Sequence, residues 1–295
     1  MPFAQLAGSP LAPGAGPIDV FYRDIRRDIG HDAERAEPLL ILHGGWGYEF
    51  YPFDAQLAAL PDRRSQVAGG GDPDGSAGGA GGHPRGIDRR FVIPDRTGYG
   101  RSPRIASLPA RFHHAAAAEH EALLDALGIA RCAIWGHSDG AVIAAIMGLR
   151  RPERVTAVIL EALHLDRGKP RSRAFFQTML EDPDGFGPRV AARLEADHGE
   201  SWRTVLRAGG RAWLDIAATP DDDFFEHRLG DLAPPALILH GADDPRTEPD
   251  ELDRVARALP AAAIHVIAGG GHSPHSERAT QAEVTRIAAE FLASR

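Results

Sequence analysis

The sequence predicts an α/β protein: a mostly parallel central sheet flanked by helices, with one helical insertion. Three observations carry this. Short apolar runs of strand length alternate with longer helical patterns through most of the chain, the pattern of a parallel sheet covered on both faces. That alternation stops between Glu161 and Asp231, where arginine, aromatic residues and helical periodicity take over. A length of 295 residues, 43% hydrophobic and 25% charged, suits an ordinary folded protein with a sizeable core.

The elements follow in order. Ile18–Asp24 is a short apolar and aromatic run expected as an early strand, and Leu39–His43 is a continuous apolar strand broken by Gly44 and Gly45. Phe53–Leu60 reads as helical, and Arg90–Pro94 as a strand closed by the turn D-R-T-G-Y-G-R-S at 95–102. Phe112–Leu127 is a helix with Gly128 placed to terminate it. Cys132–Trp135 is a buried-type strand running into G-H-S-D-G at 136–140, after which Ala141–Leu149 carries the small and apolar residues of a tightly packed helix. Val155–Leu160 is the last strand before the insertion. Beyond it come strand Ala236–His240, helix Glu248–Leu259, strand Ile264–Ala268 and helix Glu277–Ala293. The expected organisation is therefore a core from residues 1–160 and 232–295, split by a helical cap over 161–231.

Composition narrows the function. A formal net charge of −8 spread over the chain offers no basic footprint for nucleic acid or an anionic membrane surface. No stretch approaches the roughly 20 apolar residues of a membrane span. The single cysteine, Cys132, excludes an intrachain disulfide and a cysteine-based zinc site. The first seventeen residues are small and proline-rich, without the cationic start and apolar run of a signal peptide, so a cytoplasmic protein, monomer or homodimer, is expected. Between residues 62 and 88, glycine dominates, most densely over 69–82; this reads as a flexible surface loop, because neither the strand nor the lysine-serine helix start of a phosphate cradle flanks it.

The chemistry concentrates at 136–140. A G-x-S-x-G sequence between a strand and a helix forms a strained turn that lifts the serine hydroxyl from the carboxyl edge of a sheet. The glycines two before and two after Ser138 leave room for the adjoining strand and helix. A serine hydroxyl needs a base to take its proton, and the base needs a carboxylate to fix its tautomer. Asp244 follows the strand Ala236–His240, and His272 follows the strand Ile264–Ala268, so each candidate stands where open α/β sheets place ligands. Asp243 competes with Asp244 for the acid role.

In the order Ser138, Asp244, His272, and in six motifs, the chain resembles the α/β-hydrolase fold superfamily, specifically the cap-bearing serine hydrolases related to carboxylesterases and to hydrolases of meta-cleavage products. The motifs are H-G-G-W-G at 43–47, D-R-T-G-Y-G-R-S at 95–102, G-H-S-D-G-A at 136–141, R-P-E-R-V at 151–155, H-G-A-D-D-P at 240–245 and G-G-G-H-S-P-H at 269–275. The resemblance implies a cofactor-free and metal-free hydrolysis of a small ester through an acyl-enzyme, with an oxyanion hole made by the amides of Gly45 and Asp139. It favours Asp244 over Asp243 as the acid, and leaves Glu161 as an alternative that some relatives use. It gives His43 a structural role in the loop. Trp46, Trp202 and Trp213 are expected around the substrate pocket, and His275 is expected as a solvated loop histidine.

Departures from the relatives exclude other chemistries. Serine rather than aspartate at position 138 argues against epoxide and haloalkane hydrolysis, and none of the four tyrosines, Tyr22, Tyr48, Tyr51 and Tyr99, falls in the cap. Proline iminopeptidases carry tryptophan where Asp139 stands. Carbon–carbon hydrolases of meta-cleavage products carry tryptophan where Ser273 stands, which leaves that activity as the alternative. A small-molecule receptor that keeps the triad is the alternative of another class, and multiple turnover separates it from an enzyme. Arg171, Arg173, Arg193 and Arg203 are candidates for an acidic substrate, although arginines on amphipathic helices are usually solvated.

Overall fold

The computed structural model describes residues 3–26, 37–59 and 89–295. Eight strands, β1 (Phe3–Leu6), β2 (Ile18–Ile25), β3 (Leu39–Leu42), β4 (Phe91–Pro94), β5 (Cys132–His137), β6 (Val155–Glu161), β7 (Ala236–Gly241) and β8 (Ala263–Ile267), form one sheet in the order β1-β2-β4-β3-β5-β6-β7-β8. The first two are antiparallel to their neighbours, and the other six run parallel. β1, a strand not expected from the sequence, pairs with β2 from Phe3↔Phe21 to Leu6↔Ile18.

The central strands are near-continuous apolar runs because both faces are covered. Leu40, Leu42, Val92, Ile134, Val158 and Leu160 face one layer, and Leu39, Ile41, Phe91, Ile93, Trp135, Ile159 and Leu237 the other, as the two-residue period of a strand requires. Helices α2 (Phe112–Ala126) and α3 (Asp139–Arg150) supply the first layer; α1 (Asp54–Ala58) lies with the C-terminal helix on the second. Between β6 and β7 lie three helices, α4 (Arg173–Glu181), α5 (Pro188–His198) and α6 (Trp202–Ala217). Then come α7 (Glu251–Ala258) and, after β8, α8 (Gln281–Ala293).

The last two helices start later than the acidic residues in the sequence suggest. Glu248 instead accepts the Arg171 amide, at 2.9 Å, and Glu277 accepts the amides of Gly271 and Ser273, at 2.8 and 3.1 Å. Both carboxylates are spent on loops at the carboxyl edge of the sheet. The glycine-rich segment 62–88 and the end of the helix expected to reach Leu60 lie outside the described residues. Among the described residues, no helix is long and apolar enough to cross a membrane.

Candidate active site

Ser138 sits between β5 and α3 with φ 57° and ψ −119°, a left-handed conformation that a non-glycine residue holds only when its surroundings force it. They do so here by close packing: a Cβ on Gly136 would meet the Gly140 carbonyl oxygen at 2.0 Å, and one on Gly140 would meet the Leu42 oxygen at 2.1 Å. The turn is thus wedged against β3, and the serine side chain has one direction left. There its Oγ lies 3.0 Å from His272 Nε2, whose Nδ1 lies 2.9 Å from Asp244 Oδ2.

The loops after β7 and β8 bring these partners in. Asp244 Oδ1 accepts the Arg246 amide at 2.9 Å, which fixes the carboxylate toward His272, while the neighbouring Asp243 side chain is exposed. Burial pushes the Asp244 carboxyl up, but the charge and N–H of His272, with the Arg246 amide, outweigh it and hold the group below its ordinary range. His272 is held below the ordinary imidazole value by burial first and by the Arg246 guanidinium second, against the pull of Asp244. The pair is therefore a carboxylate and a neutral imidazole at neutral pH, the state in which Nε2 can accept a proton.

A second histidine, not anticipated from the sequence, reaches the same hydroxyl. His164 Nε2 lies 3.2 Å from Ser138 Oγ, with its ring stacked on that of His272 at 5.7 Å between centroids and edge-on to Trp213 at 5.2 Å. The turn that carries it includes Ala162 at φ 51°, just beyond β6. The tautomers follow by counting protons. His272 Nδ1–H donates to a carboxylate, so its Nε2 can only accept, and the single hydroxyl proton of Ser138 goes there. Both bonds to Oγ form only if His164 donates from Nε2–H, and burial, reinforced by Lys169, His272 and Arg246, holds His164 well below the ordinary imidazole range and hence neutral.

The carboxylate of Asp139 is buried beside the nucleophile. Oδ2 accepts Arg96 Nη2 at 3.1 Å, and Oδ1 accepts Trp213 Nε1 at 3.1 Å and His113 Nε2 at 3.4 Å. Burial raises this carboxyl, but His113, Arg96 and Trp213 together hold it below its ordinary range. Arg96, from the turn after β4, also donates to the carbonyls of His43 and Gly44 at 2.9 and 3.3 Å, so one guanidinium ties the Asp139 side chain to the loop bearing Gly45. Replacing Arg96 by methionine should cost about 3–5 kcal/mol in urea unfolding, because it leaves a buried carboxylate without its cation. The double variant with Asp139→Asn should recover much of that loss.

As the first residue of α3, Asp139 has an amide with no carbonyl one turn back to receive it, so this N–H is available beside Ser138. Gly45 faces it across the pocket mouth: a Cβ there would stand 3.1 Å from Asp139 Oδ2. A cavity of about 30 Å³ opens in front of Ser138, lined by Trp46 and Tyr51 and by Phe175, Phe176, Met179 and Trp213 of the inserted helices. Trp46 stacks on Phe175 at 5.2 Å. Trp202, expected at the pocket, does not line it. It lies on the same face of α6 as Trp213 but eleven residues earlier, roughly 16 Å along the axis, and is buried in the packing of the inserted helices.

Two other expectations change. His275 is not solvated: it is fully buried, stacked on Phe53 at 3.9 Å, with Nδ1 2.7 Å from Glu161 Oε1. Glu161 also accepts the His275 amide at 3.1 Å and Trp135 Nε1 at 2.9 Å, so this carboxylate anchors the loop after β8 from below and is engaged away from His272. His43 donates from Nδ1 to Gly44 O at 2.7 Å within its own turn. Among the described residues, no group of three or more histidine, cysteine or acidic side chains gathers as a metal site.

Comparison with known proteins agrees with this architecture. A family model described as the alpha/beta hydrolase fold matches residues 37–222. The chain is 26% identical over 208 residues to the human serine hydrolase BPHL, covering 68% of each. It is 25% identical over 284 residues to the 2-hydroxymuconate semialdehyde hydrolase of Pseudomonas putida, covering 89% of each. A thermophilic esterase from Thermogutta terrifontis superposes with a TM-score of 0.67 at 20% identity, over 99% of this chain and 98% of its own, a likeness of fold.

Proposed function

This chain is a hydrolase belonging to the α/β-hydrolase fold family, and we propose that it cleaves small carboxylic esters through an acyl-enzyme on Ser138, with residues 161–231 as the cap over the site. The observation that carries the reading is the unbroken hydrogen-bonded chain from Ser138 Oγ to His272 to Asp244 beside a walled pocket. As Oγ attacks the ester carbonyl, its proton passes to His272 Nε2, and Asp244 stabilises the imidazolium that results. The amides of Gly45 and Asp139 receive the developing oxyanion. His272 returns the proton to the leaving alkoxide, the alcohol departs, and water repeats the sequence on the acyl-enzyme to release the acid and regenerate Ser138.

His164 enters as a positioning residue. Its Nε2–H holds one lone pair of Oγ, so the hydroxyl proton points at His272 and the remaining lone pair at the substrate carbon. Replacing His164 by phenylalanine, which keeps a ring but no donor, should lower kcat about 10- to 100-fold with little change in KM. His164→Gln, which retains an N–H, should recover part of the loss. Equal defects in both variants would sink the donor role.

The test of the overall reading is hydrolysis of p-nitrophenyl esters of graded acyl length, with intact-protein mass recorded during reaction with a fluorophosphonate. Sustained turnover and a single adduct that is absent from Ser138→Ala are expected; no ester turnover would overturn the reading. Covalent labelling without sustained turnover would favour a receptor. The similarity to 2-hydroxymuconate semialdehyde hydrolase over 89% of both chains supports carbon–carbon cleavage as the second reading. Loss of a dienol chromophore without ester turnover would select it.

A further inference from the structure

We propose that the pocket beside Ser138 contains a carboxylate-binding subsite centred on Arg246, so that the ester cleaved carries a second, free carboxylate. The inference rests on the ester-hydrolase reading above and adds the charge of the substrate.

Arg246 stands two residues beyond Asp244, and its backbone is pinned on both sides. Its amide donates to Asp244 Oδ1 at 2.9 Å, and its carbonyl accepts Lys169 Nζ at 3.1 Å. The side chain therefore leaves from a fixed point. Its guanidinium lies 4.0 Å from the centre of the Phe175 ring and 5.9 Å from that of Trp46, half-buried on the pocket wall. Among the described residues it makes no ion pair and no side-chain hydrogen bond.

Neighbouring acids are engaged elsewhere. Asp244 is held by His272, Glu248 by the Arg171 amide, and Asp139 by Arg96. Glu251 is bonded through both oxygens by Lys169 Nζ, at 2.8 and 2.6 Å. Lys169, with three donors on Glu251 and the Arg246 carbonyl, has its charge matched. Arg246 alone brings an unmatched cation to this wall.

Two more polar groups point the same way. Ser172 Oγ and Trp46 Nε1 belong to residues over nine-tenths buried, line the same pocket and have no hydrogen-bond partner among the described residues. A buried donor left unmatched is expensive, and such groups in native proteins mark a place where something else bonds. They gather around Phe175: Trp46 stacks on its ring, and Ser172 lies one turn before it. A guanidinium fork, an indole N–H and a hydroxyl on residues that line one pocket are the donor set that suits a planar group of acceptor oxygens bearing one negative charge, which is a carboxylate. Aromatic walls keep water from competing for it.

The test uses two ester pairs with the full chain, Ser138→Ala supplying the background rate. In one pair the carboxylate is on the acyl chain, 4-nitrophenyl hydrogen adipate against 4-nitrophenyl hexanoate. In the other it is on the leaving group, 4-acetoxybenzoate against its methyl ester. At least one pair should show a preference for the anion of about tenfold or more in kcat/KM, and Arg246→Gln should bring that ratio close to one, with Arg246→Lys between. Which pair responds locates the subsite on the acyl or the alcohol side. A ratio near or below one in both pairs, or one that survives Arg246→Gln, would overturn the proposal. Calorimetric titration with adipate gives a readout without turnover: binding should weaken about tenfold in Arg246→Gln. Adipate binding through Arg246 in a protein that hydrolyses no ester would leave the subsite standing and remove the ester-hydrolase reading; no adipate binding to the unmodified protein would remove the subsite.

Discussion

Ser138→Ala should lower kcat/KM for any ester substrate by about 10⁴-fold or more, with the protein still folded. The activity loss follows from the absence of any other nucleophile at the end of the His272–Asp244 pair. Folding should survive because the side chain touches only His272 and His164 through hydrogen bonds, and removing one hydroxyl leaves two neutral rings beside a pocket open to water. Nor should the backbone object, because alanine keeps the Cβ that serine already carries at this φ of 57°. His272→Ala should cost nearly as much, and the double variant little more than either single, since the groups act as a unit. Steady-state kinetics with circular dichroism on all three variants tests this. Single variants that retain activity within tenfold of the unmodified protein would remove Ser138 and His272 from the chemistry.

Part of this site is legible in the chain because the fold writes it locally. A parallel strand buried on both faces is a continuous apolar run, and the residues that follow such a run stand at the carboxyl edge of the sheet whatever the rest of the fold does. Ser138 after β5, Asp244 after β7 and His272 after β8 share that position. Gly136 and Gly140 are readable for the same reason, since the wedge of the turn against β3 tolerates no Cβ.

The residues that escaped are those whose partners are distant in sequence. Arg96 and Asp139 are 43 positions apart, and nothing in D-R-T-G-Y-G-R-S says that its arginine neutralises a carboxylate behind the nucleophile. His164 stands just beyond β6, where the apolar pattern gives way to the insertion, and only the left-handed turn at Ala162 returns it to Ser138. β1 is four residues long and gains its definition from pairing with β2. His275 reads as a polar loop residue until the loop is seen folded down onto Glu161. Trp202 shows the limit of helical periodicity, which fixes the face of a helix but not which end of it reaches a pocket.

The buried histidines carry a second large expectation, a steep loss of stability on mild acidification. His43, His113, His120, His137, His164, His198, His240 and His272 are all buried, and all are held below the ordinary imidazole range, by burial first in every case. In the unfolded chain each would take up a proton as pH falls through about 6.5. The folded protein refuses it, so the unfolded state binds more protons, and the free energy of unfolding falls as pH falls until each folded pKa is reached. His120 is lowered to about 3 and His198 to about 4, with His43, His137 and His164 well below the ordinary value. At about pH 5.5 His120 and His198 each cost on the order of 1 kcal/mol and the other three act in the same direction, a sizeable part of a total stability of roughly 5–15 kcal/mol. Asp197, raised to about 7 by burial and by Asp95, runs the other way and offsets about 2 kcal/mol at that pH. Glu119, also raised by burial, adds to that offset. The midpoint of urea unfolding should therefore drop between about pH 6.5 and 5.5, and the melting temperature with it by several degrees. A profile flat across that interval would mean that these imidazoles are charged or wet in the folded protein. His120→Leu isolates one contribution: removing the group should flatten the slope by about one proton. Protonation of His272, whose pKa is also lowered by burial, removes the base as pH falls, so ester hydrolysis should fall on acidification for two reasons. Activity lost while far-ultraviolet circular dichroism is unchanged, and regained at once on return to neutral pH, belongs to His272; activity lost together with the helical signal belongs to the fold.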